Sequence, residues 1–172
     1  MPNMTHEEYR RAAEHWKIRN ANGQAMDRGR LLEAAEDYIR ANNTCALATG
    51  AGTFVRCTPI EYAYHDGCFW MFTEGGEKFL ALERNRNVCL AIFDRYDGFG
   101  NLKGMQVSGA AELIEPFSEA YLAAAAFKKL PQEALRKLPE PLQLIRVTPA
   151  KLEFLNSDFK KAGFSSRQTL VF

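Results

Sequence analysis

Residues 1–42 place their apolar side chains at helical spacing, and residues 44–115 change to the short runs and two-residue alternation of strands. Thr5 followed by Glu8 is a capping box, in which each side chain satisfies the other residue's backbone N–H at a helix start. Tyr9, Ala12, Ala13 and Trp16 then share one helical face, and Asn20-Ala21-Asn22-Gly23 breaks the helix. A second helix is predicted after Asp27, with Leu31, Leu32, Ala35, Tyr38 and Ile39 as its apolar stripe and Asn42-Asn43 at its end. At this spacing Trp16 and Tyr38 read as core residues.

The strand pattern begins with residues 44–49 and turns at Gly50-Ala51-Gly52. Residues 53–64 read as one long strand, in which Pro59 has no N–H to give a ladder and so belongs at a bulge or an unpaired edge. Asp66-Gly67 follows between alternating apolar residues, the signature of a tight hairpin whose turn needs positive φ. The returning strand is Cys68-Phe69-Trp70-Met71-Phe72, and a short helix is predicted over 79–85. Val88-Cys89-Leu90-Ala91-Ile92-Phe93 is nearly continuous apolar, as expected of a strand buried on both faces. A loop at 97–101 leads to a strand over 104–115, with Met105, Val107 and Gly109 on one face and Gln106, Ser108 and Ala110 on the other. Two helices (118–130 and 131–138) and two final strands (142–147 and 152–155) complete the pattern, and the tail from 160 onward is weakly patterned. Strands with helices inserted between them predict an α+β, mainly β, architecture around a small antiparallel barrel.

Size and charge narrow the function. A chain of 172 residues is expected to form one domain, with 1–42 as a helical segment packed on a barrel formed by 43–172. A net charge of +1 argues against electrostatic binding of nucleic acid. The pairs Arg84 and Arg86, and Lys160 and Lys161, read as solvated surface. No apolar run approaches the roughly 20 residues of a membrane helix. Residues 1–19 lack a signal-peptide core, so a cytoplasmic protein is expected. The four cysteines, Cys45, Cys57, Cys68 and Cys89, form no Cys-x-x-Cys pair and have no histidine at ligand spacing. They read as buried reduced thiols, and no metal site is expected. Of the three histidines, His6 and His15 are expected on a helix surface and His65 at an exposed hairpin tip.

The chemistry concentrates between Arg56 and Lys78. Thr73-Glu74-Gly75-Gly76-Glu77-Lys78 brings a hydroxyl, two glycines and a lysine to a helix start, a combination that can hold an anion. With Arg56 and Thr58 on a neighbouring strand, it points to a phosphorylated cofactor lying across a sheet. No acid–base pair, nucleophile elbow or metal motif accompanies it, which fits a protein whose cofactor carries the redox chemistry.

Four stretches together resemble the pyridoxamine 5'-phosphate oxidase-like family of FMN-binding split barrels. They are Ala46-Leu47-Ala48-Thr49 with its glycine turn, the Thr58-Pro59 strand with its Asp66-Gly67 hairpin, the 73–78 loop running into Glu83-Arg84-Asn85-Arg86-Asn87-Val88, and Gln106-Val107-Ser108-Gly109-Ala110-Ala111-Glu112. The resemblance implies a split antiparallel β-barrel, a homodimer with FMN at the subunit interface, and a flavin-dependent oxidoreductase acting on a small molecule. It implies cofactor contacts from Arg56, Cys57, Thr58, Pro59, Thr73, Lys78 and Gln106, although, measured from Gly109, the glutamine of the oxidase pattern falls nearer Gly104. Two alternatives stay open: a non-catalytic module of the same fold that holds haem or flavin, and a reductase that uses deazaflavin. The arginine–histidine signature and the tryptophan of the true oxidases have no counterpart, since no histidine follows His65 and no tryptophan follows Trp70. Oxidation of vitamin B6 is therefore not expected.

Overall fold

Asp66 and Gly67 turn the chain with φ of 50° and 71°, positive at both positions as the hairpin signature requires. They join β3 (Ala63–His65) to β4 (Cys68–Thr73), and His65 lies opposite Cys68. The computed structural model describes residues 4–21 and 23–172. Around this hairpin run β1 (Thr44–Ala51), β2 (Phe54–Glu61), β5 (Asn87–Phe93), β6 (Lys103–Ile114), β7 (Gln143–Asn156) and β8 (Arg167–Val171). The strand order is β2-β1-β5-β6-β7-β4-β3, every pairing is antiparallel, and β8 adds to the second half of β7. The two ends of this series, β2 and β3, are consecutive along the chain, so the sheet curls into a split barrel.

The expected strand over 53–64 is interrupted at Tyr62. This residue is 3% exposed, its hydroxyl donates to the Ile39 carbonyl at 2.7 Å, and its N–H donates to the Asn43 carbonyl at 2.8 Å. The bond to Asn43 carries the β1–β2 pairing one residue further, and from Ala63 the chain pairs with β4 instead. Pro59 sits on β2, the edge of the series, where its missing N–H breaks no further ladder.

Helix α1 (His6–Ala21) opens on both arms of the capping box. The Glu8 carboxylate accepts from the Thr5 N–H at 2.7 Å, and Thr5 Oγ1 accepts from the Glu8 N–H at 3.3 Å. Helix α2 (Arg28–Ala41) is capped by Asp27, which accepts from the Arg30 N–H at 2.9 Å. Leu31, Ala35 and Ile39 of α2 plug the barrel interior against Leu47, Leu90, Val107, Val147 and Phe154. Complete burial of each such large apolar side chain contributes about 1.5–3 kcal/mol. Tyr38 is half-buried against Phe154, with ring centroids 4.9 Å apart. The expected core role of Trp16 does not hold. Every described side chain of α1 is exposed, and Trp16 is 46% exposed. Helical spacing identifies a shared face but not whether another element covers it.

Four further expectations are corrected. β5 alternates: Val88, Leu90 and Ile92 are buried, while Phe93 is 66% exposed, so only one face meets the core. The segments 142–147 and 152–155 form one strand, β7, which stays continuous through a bulge where Ser108 pairs Lys151 and Gly109 pairs Pro149. The weakly patterned tail contains β8. Helix α3 (Lys78–Leu82) is shorter than expected, while α4 (Glu119–Phe127) begins at Ser118 as predicted and packs with α5 (Gln132–Arg136) over Trp70 and Leu144. Among the described residues no helix is long and apolar enough to cross a membrane.

Candidate functional site: a cationic loop beside an edge strand

Side chains alternate along β2, and the register shows which way each one faces. Thr58 lies opposite Leu47 and Arg56 opposite Thr49, both buried, so Arg56 and Thr58 belong to the interior face. Cys57 and Pro59 lie opposite the half-buried Ala48 and Ala46 and belong to the outer face. The expected site residues on this strand are thus divided between two faces by a two-residue period.

Arg56 and Lys78 come together on the interior side. Helix α3 packs beside β1 and β2, and the loop before it folds back through Gly75 and Gly76, with φ of 124° and 104°. Both angles favour glycine over any residue with a Cβ. Thr73 shapes this loop: its hydroxyl donates to the Gly75 carbonyl at 3.3 Å and accepts from the Gly75 N–H at 3.4 Å. The same carbonyl accepts from the Lys78 ammonium. Lys78 is 4% exposed, and its pKa is lowered, first by burial and then by the charge of Arg56. Arg56 is exposed and meets the Glu77 carboxylate at 3.0 Å.

This geometry buries Lys78 and adds two residues that the sequence did not single out. Glu77 occupies the Arg56 guanidinium. Thr49, 3% exposed and paired across from Arg56, has a hydroxyl without a hydrogen-bond partner. Glu77 was in view as a loop residue, but its partner depends on how α3 packs on β2. Thr49 carries no local signal, because only the β1–β2 register brings it opposite Arg56. Two cations, a loop with open glycine positions and an unpartnered hydroxyl form a donor set suited to a phosphate.

Gln106 is not part of this cluster. It is exposed on the outer face of β6, in one cross-strand row with Ala91, Ala46 and Pro59. With strands about 4.8 Å apart, it lies about 14 Å from Pro59. The row and its neighbours present a largely apolar outer surface, with Val55 75% exposed and Phe93 66% exposed.

The cysteines differ from one another. Only Cys45 is buried, and burial pushes its thiol up to about 12, with a smaller contribution from Cys57. Cys57 is exposed, and Cys68 and Cys89 are half-buried, which corrects the expectation of four buried thiols. His65 is exposed at the hairpin, its ring 4.6 Å from that of Phe127. Among the described residues no cluster of His, Cys, Asp and Glu could hold a metal ion.

The family model described as pyridoxamine 5'-phosphate oxidase matches residues 31–156. No curated protein matches the chain. Among solved structures, a conserved hypothetical protein of Mycobacterium tuberculosis is 19% identical, with 83% of this chain and 91% of that one covered and a TM-score of 0.62. A FAD-binding protein of Mesorhizobium loti is 18% identical, covering 70% of this chain and 89% of its own, with a TM-score of 0.58. The haem-storage protein HutZ of Vibrio cholerae is 15% identical, covering 68% and 88%, with a TM-score of 0.57. At these identities the likeness is one of fold, and the fold serves both flavin-binding and haem-binding proteins.

Proposed function

The chain belongs to the pyridoxamine 5'-phosphate oxidase family, and from this premise we propose that it binds FMN and acts as a flavin-dependent oxidoreductase on a small molecule. The observation that carries the reading is the meeting of Arg56 with the buried Lys78 over the Gly75-Gly76 loop. Two cations held close repel each other, and burial deprives Lys78 of the water that would stabilise its charge. A phosphate dianion would relieve both penalties.

In this reading Arg56 and Lys78 hold the phosphate, and Thr58 on the same face supplies a hydroxyl. Thr73 acts through the loop, since its hydroxyl is already engaged with Gly75. Cys57 and Pro59 form the outer side of the edge strand along which the rest of the cofactor would lie. FMN, when bound, supplies the capacity to accept and return a hydride. The protein's own contribution is to bind the anion, orient it and keep water from Lys78.

We also propose that two copies pair through the outer sheet face, with Gln106 reaching the partner's cofactor. The exposed apolar side chains Val55 and Phe93 support this, because an apolar patch of this kind on a sheet face favours a covering partner. A Phe93→Asp variant that sediments like the wild type would oppose the pairing.

The decisive experiment is a titration of the apo-protein with FMN, followed by quenching of flavin fluorescence, with riboflavin as control. Tight FMN binding and weak riboflavin binding are expected. Equal binding of the two would remove the phosphate site, and a Soret band on adding haem in place of flavin binding would favour the haem-holding alternative.

A further inference from the structure

On another part of the surface, α1 stands beside the start of β8 and leaves a cleft of about 620 Å³. Trp16, Phe99, Arg19, Lys160, Arg167 and Ser165 line much of it. The Arg167 guanidinium lies 4.4 Å from the centre of the Trp16 ring, and that of Arg19 lies 5.4 Å from it. Among the described residues no acidic side chain lines the cleft, and Arg19, Lys160 and Arg167 form no ion pair. An adjoining cavity of about 260 Å³ shares Leu155 and Arg167 and is lined by Phe93, Gln106 and Glu153.

We propose that this cleft binds a small planar aromatic anion, such as an aromatic carboxylate or phosphate ester, at a site separate from Arg56 and Lys78. Phe99, 87% exposed, supplies a flat apolar surface on which an aromatic ring stacks, and the Trp16 ring carries the guanidinium groups of Arg19 and Arg167. An arginine that stacks on a tryptophan keeps its N–H groups free in the guanidinium plane, where they meet a carboxylate or phosphate two at a time. Three cations line the cleft, and the carboxylate of the adjoining cavity, Glu153, is paired with Lys151 at 2.9 Å, so the cleft's own charge sets the sign of the ligand's. The volume falls within the range of small-molecule sites. The cleft also accounts for an otherwise unfavourable feature, a tryptophan left exposed on a helix that buries none of its described side chains.

The placement of the cleft is fixed by the segment linking α1 to α2. The Met26 N–H donates to the Gln168 side chain at 2.9 Å, the Gln168 amide donates to the Gln24 carbonyl at 3.2 Å, and the Ser165 N–H donates to that same carbonyl at 2.9 Å. The linker is thereby held against β8 and the turn before it. Arg167 and Ser165 are thus positioned by the contacts that also position the approach to α1.

The test is calorimetric titration of the full-length protein with 2-naphthoate, with neutral 2-naphthamide as control, in the presence and absence of FMN. Naphthoate is expected to bind and naphthamide to bind more weakly. Trp16→Leu, Arg19→Gln and Arg167→Gln should each weaken naphthoate by about tenfold, the scale of one charge-assisted or stacking contact. Lys78→Ala should leave naphthoate binding unchanged while weakening FMN, so failure of the cofactor reading and failure of this one are distinguishable. Trp16 and Arg19 are exposed on α1, and variants at these positions keep the test valid if Arg167→Gln folds poorly. No naphthoate binding by the wild type, equal binding of naphthoate and naphthamide, or full binding by both Trp16→Leu and Arg19→Gln would overturn the proposal.

Discussion

The Arg56 guanidinium lies 3.0 Å from the Glu77 carboxylate, one residue before the buried Lys78. Glu77 therefore competes with any anion for Arg56. Arg56→Ala and Lys78→Ala should each weaken FMN binding by about 1–3 kcal/mol, the scale of a lost charge-assisted hydrogen bond. Glu77→Gln should strengthen it, because an exposed ion pair contributes little to the fold and its removal frees the guanidinium. Lys78→Met should raise the thermal stability of the cofactor-free protein while weakening FMN, since it removes a charge that burial disfavours. Fluorescence titration and thermal melts of the same four variants check these directions.

Gly109→Ala should destabilise the barrel without touching the cationic loop. A Cβ at this position would lie 2.4 Å from the Thr148 carbonyl oxygen, and that atom belongs to the backbone at the β6–β7 bulge. Overpacking of this kind costs about 1–3 kcal/mol. Urea unfolding should show a lowered midpoint, and FMN affinity at low urea should be retained.

Gln168 is a buried polar side chain with three partners. Its carbonyl oxygen accepts from the Met26 N–H, and its amide donates to the Gln24 and Ser165 carbonyls. Gln168→Leu fills the space but leaves the Met26 N–H and the Ser165 carbonyl unpaired, while the Gln24 carbonyl keeps the Ser165 N–H, at about 1–3 kcal/mol for a buried unsatisfied group. Hydrogen exchange should show faster opening of the 23–27 segment, with β1 and β5 protected as in the wild type.

Acid stability should depend in part on Asp158. Lys161 and Lys103, at 2.6 and 2.9 Å, hold its carboxyl down to about 2 from an ordinary 3.8. A depressed carboxyl favours the folded state fully above its ordinary pKa, and that contribution disappears as pH falls through the folded value. Asp158→Asn should thus flatten the loss of stability between 3.8 and about 2, measured by circular dichroism at a series of pH values. An unchanged pH profile would contradict this.

Local chemistry in the sequence determined the features that close within a few residues. The Thr5–Glu8 capping box, the Asp27 cap of α2, the Asp66-Gly67 turn and the glycine loop before Lys78 all form as their residues dictate. The order of elements, and through it the split-barrel family, was legible for the same reason. Tertiary structure decided what depends on partners distant along the chain. Tyr62 is buried with its hydroxyl on the Ile39 carbonyl of α2, and there the chain changes its partner from β1 to β4. Phe93 and Trp16 stay exposed because neither joins an apolar cluster of the described chain, although their patterns match buried neighbours. Lys78 is buried, and Arg56 is parted from Cys57, by the packing of α3 and the register of β1 with β2. Periodicity records which side chains share a face, but pairing and packing choose which face meets the core, and a one-residue difference in register reverses that choice.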